Sequence, residues 1–379
     1  MSHERDRNPA FHLAETAARR SFVVAADGSG DFASVQAAVD AIPPDFPERV
    51  TIFIRQGEYR EKVFIDRRKV SLIGEGADRT AIRWDDYALK TFPDGEPYNT
   101  FNTYTLFAGA DDFIAEDLSI VNGAGRGEDV GQAVALYADG DRAVFRRCRL
   151  IGWQDTLFTG PLPPSPVERA TFGGPREGAP RRPSRQYYED CYIEGDVDFI
   201  FGSATAVFNR CELFSKARRE SPEDGEDRVH GWIAAPSTPE DAAFGYLFLS
   251  CRLTGDAPPR SVYLGRPWRD FASAAFVRCD MGAHIRPEGW HDWDKPGARR
   301  TARFAEYGCA GPGAPGGHGR AGAANGPAPE GRTAAARVDW SRQLTSEEAD
   351  DMTVDRVLAG ADGWNPLAAK PGMFEFGGG

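Results

Sequence analysis

The chain has 379 residues, of which 41% are hydrophobic and 27% charged, a composition typical of a globular protein and unlike that of collagen-like or wholly disordered chains. Its 57 acidic and 45 basic residues give a net charge of −12, which argues against nucleic acid as a partner because phosphate binding favours a basic surface. No stretch of the sequence approaches the roughly 18 apolar residues of a membrane-spanning helix, so we predict no membrane partner. We also expect the protein to be a monomer.

The N-terminal region is predicted to lead into a single domain. We expect residues 1–20 to be flexible and residues 21–379 to form one catalytic domain. Arg19 and Arg20 precede a short apolar run, as in twin-arginine export signals, but Asp27 ends that run too early, and the run fits a first strand better. We therefore expect either a cytoplasmic protein or a secreted protein whose signal is absent from this chain.

Two short helices are predicted near the ends of the domain. Ser34 to Ile42 has apolar residues at helical spacing and stops at Pro43. It is predicted to cap the first coil of a solenoid, where strand edges would otherwise be exposed. Ser346 to Leu358 is predicted as a C-terminal helix.

Between these helices the chain repeats the pattern aromatic-x-x-Cys-x-aliphatic. The copies are Phe145/Cys148/Leu150, Tyr188/Cys191/Ile193, Phe208/Cys211/Leu213, Phe248/Cys251/Leu253 and Phe276/Cys279/Met281, with Phe113/Glu116/Leu118 as a sixth copy that lacks the cysteine. The interval from Cys191 to Cys211 is 20 residues, and the next interval is 40. A period of about 20 residues made of short β-rich runs predicts the coils of a parallel β-helix.

The cysteines are predicted to form a column inside this solenoid, because equivalent residues of stacked coils lie roughly 4.8 Å apart. We favour buried core thiols. A disulfide between Cys191 and Cys211 is the alternative if the protein is exported.

Two segments interrupt the repeat and are predicted to be loop insertions. Residues 160–182 are rich in Pro, Gly and Arg and are predicted to edge a binding cleft. Residues 312–336 are almost entirely Gly, Ala, Pro and Arg and are predicted to be a mobile loop.

Two amides and two carboxylates recur one coil apart. Gln132 and Gln154 are separated by 22 residues, and Asp155 and Asp198 are separated by one coil once the 23-residue insertion is removed. These four side chains are therefore predicted to converge on one patch. Such a patch permits ester cleavage, with one carboxylate as nucleophile, one carboxyl group as proton donor, and two amides around the oxyanion. For Gln132 alone, an internal polar ladder is an equal alternative.

Asp198 lies between apolar residues, where an ionised side chain needs a cationic partner. Arg266 is the candidate, since a guanidinium group can hold a carboxylate with two parallel hydrogen bonds. An ordinary buried ion pair without a catalytic role is the alternative interpretation.

Five sequence blocks resemble one known family. Residues 26–32 and 57–63 look like its opening signatures. Gln154-Asp155-Thr156-Leu157, Asp198-Phe199-Ile200-Phe201-Gly202 and Gly265-Arg266-Pro267-Trp268 match its active-site blocks. From about Val23 to Trp364, the chain resembles the pectin methylesterases, also called pectinesterases.

The resemblance implies a right-handed, single-stranded parallel β-helix with short capping helices. It implies hydrolysis of the methyl esters of galacturonic acid units in pectin or methylated oligogalacturonides, without a metal or an organic cofactor. It makes Asp198 the nucleophile, Asp155 the general acid and then base, and Arg266 the residue that orients Asp198. Gln132 and Gln154 match the oxyanion-hole glutamines. Substrate contacts are expected at Trp268, Phe201, Val197 and Thr105.

The chain departs from the family pattern at Ser203, at Trp153 and in the longer insertion at 160–182, which leaves the catalytic set intact but puts the cleft shape in doubt. A pectate lyase or polygalacturonase on the same solenoid would lack the pair of amides. An esterase for another acyl ester and a non-catalytic polysaccharide-binding solenoid remain alternatives, although the latter is expected to lose one of Asp155, Asp198 and Arg266.

Overall fold

The computed structural model describes residues 20–167, 170–219, 227–316 and 337–370. The described residues form 26 strands in three parallel sheets, and the chain visits the three sheets in turn. Each circuit is one coil, so a strand pairs with its equivalents in the neighbouring coils, and the strands at the ends of each sheet have one such partner. This arrangement is the predicted parallel β-helix. The flexible segment predicted at 1–20 lies outside the described residues apart from Arg20, and so does most of the loop predicted at 312–336.

The strands are numbered in chain order. The eleven-stranded sheet contains β1 (Ser21–Val24), β2 (Val50–Ile54), β5 (Val70–Gly74), β8 (Ile114–Glu116), β11 (Ala143–Arg146), β14 (Arg185–Glu189), β17 (Thr205–Asn209), β20 (Tyr246–Leu249), β23 (Ser273–Val277), β25 (Arg303–Tyr307) and β26 (Arg342–Gln343). The eight-stranded sheet contains β3 (Gly57–Arg60), β6 (Thr80–Trp84), β9 (Ser119–Asn122), β12 (Arg149–Ile151), β15 (Tyr192–Gly195), β18 (Glu212–Ser215), β21 (Arg252–Gly255) and β24 (Asp280–Met281). The seven-stranded sheet contains β4 (Val63–Ile65), β7 (Leu106–Ala108), β10 (Leu136–Ala138), β13 (Leu157–Thr159), β16 (Val197–Gly202), β19 (Gly231–Pro236) and β22 (Val262–Gly265).

The helices are short and lie outside the coils. They are α1 (Val35–Asp40), α2 (Gly127–Val130), α3 (Ser346–Asp350) and α4 (Val354–Leu358), with single 3-10 turns at Thr100–Asn102, Ala298–Arg300 and Pro366–Ala368. No helix within the described ranges is long and apolar enough to cross a bilayer.

The predicted N-terminal helix is confirmed as α1. The Ser34 hydroxyl accepts a hydrogen bond from the Ala37 amide at the start of this helix, which satisfies one of its unpaired donors. The prediction of one helix over Ser346 to Leu358 is wrong, because two helices form there. Thr353 caps α4 by accepting from the Arg356 amide, so a new helix begins where a continuous one was expected.

The repeated aromatic and cysteine residues form two ladders through the core. The rings of Phe145, Tyr188, Phe208, Phe248 and Phe276 stack with centroid separations of 4.3 to 4.8 Å. All six cysteines are free, including Cys191 and Cys211, so the alternative of a disulfide is not realised. Each thiol donates to a carbonyl oxygen of the preceding coil at 3.2 to 3.5 Å.

The strand register corrects the repeat in two places. Phe145 pairs with Ala115, and Leu150 pairs with Ile120, so the sixth copy is Ala115/Leu118/Ile120 and the predicted copy was displaced by two residues. Cys309 also belongs to the column of cysteines. The sequence pattern did not include it, because Glu306 and not an aromatic residue pairs with Phe276.

The residue before each thiol adopts a left-handed backbone, from Arg147 at φ 51° to Gly308 at φ 59°. This conformation turns the chain from one sheet into the next.

His284 makes the acid stability of this fold testable. Burial lowers its pKa to about 4, and it is only 4% exposed. Between pH 6.5 and 4 the unfolded chain therefore binds a proton that the folded chain does not, so stability falls as the pH falls. We expect this residue alone to cost about 3 kcal/mol over that interval. Urea unfolding of wild type and His284→Gln at pH 7 and pH 4 measures the difference.

The variant should lose correspondingly less stability on acidification than the wild type. An identical loss in both proteins would contradict the assignment of a buried neutral imidazole at His284.

Candidate active site

A cleft of about 860 Å³ lies on the outer side of the seven-stranded sheet. Gln132, Gln154, Asp155, Asp198 and Arg266 all line it, so the structure brings together the five polar residues that the sequence singled out. Part of the insertion at 160–182 forms one wall through residues such as Pro164, Phe172 and Arg181. The other wall contains Ala235 of β19 and residues that follow β19 and β22, such as Thr238 and Trp268.

Backbone hydrogen bonds between successive coils align these residues. The Ala133 amide donates to the Gln154 carbonyl oxygen at 3.1 Å, and the Asp155 amide donates to the Val197 carbonyl oxygen at 3.0 Å. Each polar residue is thus next to a neighbour from an adjacent coil. The one-coil spacing of the sequence becomes direct proximity in space.

A β-bulge presents Asp198 to the cleft. Val197 pairs with Trp232 and Ile200 pairs with Ala234, so two residues of β16 face one residue of β19. Asp198 occupies the bulge with φ 50°, and Phe199 beside it is fully buried in the core. Asp155 also has a left-handed backbone, with φ 64°. Aspartate tolerates this conformation better than most residues, and such strain is typical of functional sites.

Arg266 holds the Asp198 carboxylate through two hydrogen bonds. Its Nε lies 2.8 Å from Oδ1 and its terminal nitrogen 2.7 Å from Oδ2. The side chains are only 13% and 8% exposed. A carboxylate this buried is stabilised in its charged form by a paired guanidinium group.

Two tryptophans enclose the Arg266 guanidinium group. Its central carbon lies 3.8 Å from the ring centroid of Trp232 and 3.7 Å from that of Trp293. Sequence reasoning missed both residues. Trp232 does not occupy a position of the aromatic-x-x-Cys-x-aliphatic repeat, and Trp293 belongs to an irregular segment after β22. The spacing of the repeat therefore gave no indication of either residue.

Aromatic residues form the floor of the cleft. Phe201 lies 5.0 Å from Phe158 and 5.7 Å from Trp268, measured between ring centroids. Phe101, which the sequence did not indicate, stacks near Trp268 at 6.5 Å. Phe201 and Trp268 line the cleft as expected of substrate contacts.

Thr105 and Val197 are placed differently from the other expected substrate contacts, since neither lines the cleft. Thr105 is fully buried, and its hydroxyl donates to the Val121 carbonyl oxygen at 2.9 Å. Val197 is 6% exposed and faces its register partner Trp232. Direct contact of Thr105 and Val197 with substrate stays a prediction.

Lys295 is a further cation of the cleft that the sequence did not reveal. Its Nζ donates to the carbonyl oxygens of Pro267 and Trp268 at 3.3 and 3.2 Å and lies 4.2 Å from the Trp293 ring centroid. Burial lowers its pKa, and the nearby charges of Arg269 and Arg266 lower it further. Lys295 thus braces the loop that carries Trp268.

The comparisons with known proteins decide the family. The Pectinesterase family model matches residues 21–161 and 167–321. The chain belongs to the pectinesterase family. The resemblance inferred from the sequence blocks is confirmed, and the protein is a carboxylic ester hydrolase with pectin methylesterase activity that modifies cell-wall pectin.

Relatives and solved structures support this membership over nearly the whole chain. Pectinesterase 31 of Arabidopsis thaliana is 34% identical over 340 residues, covering 88% of this chain and 90% of the relative. Pectinesterase QRT1 of Arabidopsis thaliana is 35% identical over 358 residues, covering 92% and 80%. The carrot pectin methylesterase structure has a TM-score of 0.69 and 29% identity, covering 90% of this chain and 93% of that one. The predicted β-helix class is confirmed.

One group of possible metal ligands occurs in the described part of this pectinesterase. Donor atoms of His291, Asp292 and Asp294 lie within 4.8 Å of one another. Asp292 is already bound by Arg299 at 2.6 Å, and His291 Nδ1 accepts from the Trp293 amide at 3.2 Å. These contacts occupy two of the three donors, so the group carries no metal assignment. The absence of a metal or organic cofactor stays a prediction.

The buried pair of Asp198 and Arg266 is testable by a double-mutant cycle. Arg266→Met leaves a buried carboxylate without its guanidinium partner, which should lower the free energy of unfolding by about 3 kcal/mol. Adding Asp198→Asn to that variant removes the buried charge and should restore most of the loss. Urea unfolding of the wild type, both single variants and the double variant provides the coupling energy. Additive effects would show that the two side chains are not coupled.

Proposed function

We propose that this pectinesterase hydrolyses the methyl esters of galacturonate units in pectin or methylated oligogalacturonides through a covalent intermediate on Asp198. The observation that carries the proposal is the paired Asp198 carboxylate, held by Arg266 in a cleft that also contains Asp155, Gln132 and Gln154. An ionised, oriented carboxylate next to a second carboxyl group and two amides supplies every group that acyl transfer requires.

In the first step, an oxygen of the Asp198 carboxylate attacks the carbonyl carbon of the methyl ester. The carbonyl double bond opens to an oxyanion, and a tetrahedral intermediate forms. When this intermediate collapses, the bond to the methoxy oxygen breaks, and the Asp155 carboxyl group donates its proton to that oxygen. Methanol leaves, and the galacturonate carbonyl stays attached to Asp198 as an anhydride.

In the second step, water attacks the galacturonate carbonyl carbon of the anhydride. The Asp155 carboxylate now accepts the proton of that water, which restores its protonated form. The bond to Asp198 breaks, the galacturonate unit leaves as a free carboxylic acid, and Asp198 regains its negative charge. Arg266 stabilises this charge at the start and end of each cycle.

Gln132 and Gln154 are proposed to donate amide hydrogens to the oxyanion in both steps. Gly127 of α2 lies against the Gln154 side chain so closely that a Cβ there would meet Gln154 Oε1 at 2.8 Å. This contact restricts the orientation of the amide. A donor that is fixed before the reaction stabilises a developing charge without reorganisation.

Substrate binding is proposed to depend on aromatic contacts. Related pectin methylesterase structures, 28% identical and covering 97% of those chains, contain bound hexasaccharides. In this chain Trp268 and Phe201 line the cleft, where they offer apolar faces to sugar rings. Because the protein has a net charge of −12, contacts with esterified, uncharged units are favoured over attraction to a polyanion.

Asp198→Asn is the direct test of the nucleophile. The amide cannot attack the ester, so we expect no methanol release from highly methylated pectin or from short methylated oligogalacturonides, with the melting temperature changed by only a few degrees. Asp190→Asn is the matched control, because Asp190 also has a left-handed backbone, at φ 52°, and accepts two hydrogen bonds of 2.9 Å from Arg210.

The control should retain wild-type release, since Asp190 lies at a turn outside the cleft. Release by Asp198→Asn at the wild-type rate would overturn the mechanism, and absence of release by the wild type from both substrates would overturn the proposed substrate class.

Gln154 tests the oxyanion hole. Gln154→Ala should lower kcat roughly 100- to 1000-fold, the range measured for loss of one donor to an oxyanion. Gln154→Glu keeps the size of the side chain but replaces the amide donor by a carboxylate, so it should lower kcat at least as much as Gln154→Ala. Steady-state methanol release measures both variants. A kcat within a factor of three of wild type for Gln154→Ala would exclude Gln154 as a donor to the oxyanion.

A further inference from the structure

We propose that Trp232 is a positioning residue, which fixes the plane of the Arg266 guanidinium group and through it the attacking oxygen of Asp198. The inference rests on the proposed role of Asp198 as nucleophile. It concerns a residue that does not line the cleft and therefore acts through its neighbours, of which Arg266 is the one stacked on its ring.

The geometry around Arg266 leaves its guanidinium plane little freedom. Trp232 and Trp293 lie on either side of it, with ring centroids 3.8 and 3.7 Å from the central carbon. A planar cation between two aromatic faces is held both by attraction to the rings and by their volume. The two hydrogen bonds to Asp198 fix only one edge of the guanidinium group, so the rings supply the remaining restraint.

Trp232 is itself firmly held by the sheet. It lies on β19 between two register partners, Val197 of β16 and Tyr263 of β22. The Tyr263 ring is nearly parallel to the Trp232 ring, at 11° and a centroid separation of 6.1 Å, and the guanidinium carbon of Arg286 lies 5.1 Å from the Tyr263 ring centroid. Val197 directly precedes Asp198, so the ring that supports Arg266 is also built next to the strand that carries the nucleophile.

The indole nitrogen points to a role for the ring face. Trp232 Nε1 is buried and makes no hydrogen bond within the described structure. A buried indole nitrogen usually has a hydrogen-bond acceptor. Because the Trp232 N–H makes no such hydrogen bond, replacing tryptophan by phenylalanine loses no hydrogen bond. Phenylalanine can therefore supply the aromatic face over Arg266.

The test compares substitutions that keep or remove this face. Trp232→Leu should lower kcat about 10-fold, equivalent to about 1.4 kcal/mol, with KM within a factor of two of wild type, because substrate contacts are untouched. Trp232→Phe should retain at least a third of wild-type kcat. If Trp232→Leu is insoluble, Trp232→Met replaces it with the same expectation, since methionine fills similar space without an aromatic face.

Trp84→Leu is the matched control for the loss of a strand tryptophan. Trp84 lies on β6 of the eight-stranded sheet, does not line the cleft, and has Arg60 5.8 Å from its ring centroid. It should keep wild-type kcat and KM whatever it does to the melting temperature.

Three outcomes overturn the inference while the wild type releases methanol: wild-type kcat in Trp232→Leu, a rise of KM that accounts for the whole effect, or a loss in Trp232→Phe equal to that in Trp232→Leu. Failure of the wild type to release methanol would instead overturn the proposed function, so the two failures are distinguishable.

Discussion

The buried ion pair of Asp198 and Arg266 is the interaction on which the site depends. The structure takes a carboxylate out of water at a bulge in β16 and pairs it with two guanidinium nitrogens at 2.8 and 2.7 Å. The same pairing leaves Asp198 with a fixed direction towards the cleft. The bulge and the left-handed backbone place Asp198 at the cleft, and the two rings around Arg266 hold its guanidinium group against Asp198.

Stacking of coils is the constraint that makes such a site possible. In a parallel β-helix, residues that are one coil apart lie side by side, so Gln132, Gln154 and Asp155 line the same cleft as Asp198. Hydrogen bonds between the coils then fix their relative heights, as those from the Ala133 and Asp155 amides show. The core ladders of rings and thiols hold the coils in register, so the precision of the site derives from residues that never contact substrate.

This constraint also decides what the sequence could predict. The solenoid and the convergence of Gln132, Gln154, Asp155 and Asp198 followed from residue spacing, and Arg266 followed from the need to pair a buried charge. The sixth copy of the repeat was predicted two residues too early. The Phe113 ring matched the sequence pattern, but Ala115 is the residue that pairs with Phe145. The contact of Trp293 with Arg266 and the burial of Thr105 could not be predicted, since they depend on how irregular segments fold back over the regular coils.

The three faces of the solenoid explain why the cleft lies where it does. The outer side of the eleven-stranded sheet is covered by α4, whose Val357 and Leu358 pack with residues of that sheet. The eight-stranded sheet carries outward pairs of charged and aromatic side chains, such as Arg149 over Tyr192 at 5.0 Å, which are already satisfied by one another. Among the described residues, the outer face of the seven-stranded sheet combines aromatic rings with polar groups that line an open cleft. The cleft therefore lies on the face that neither a helix nor its own side-chain pairs have closed.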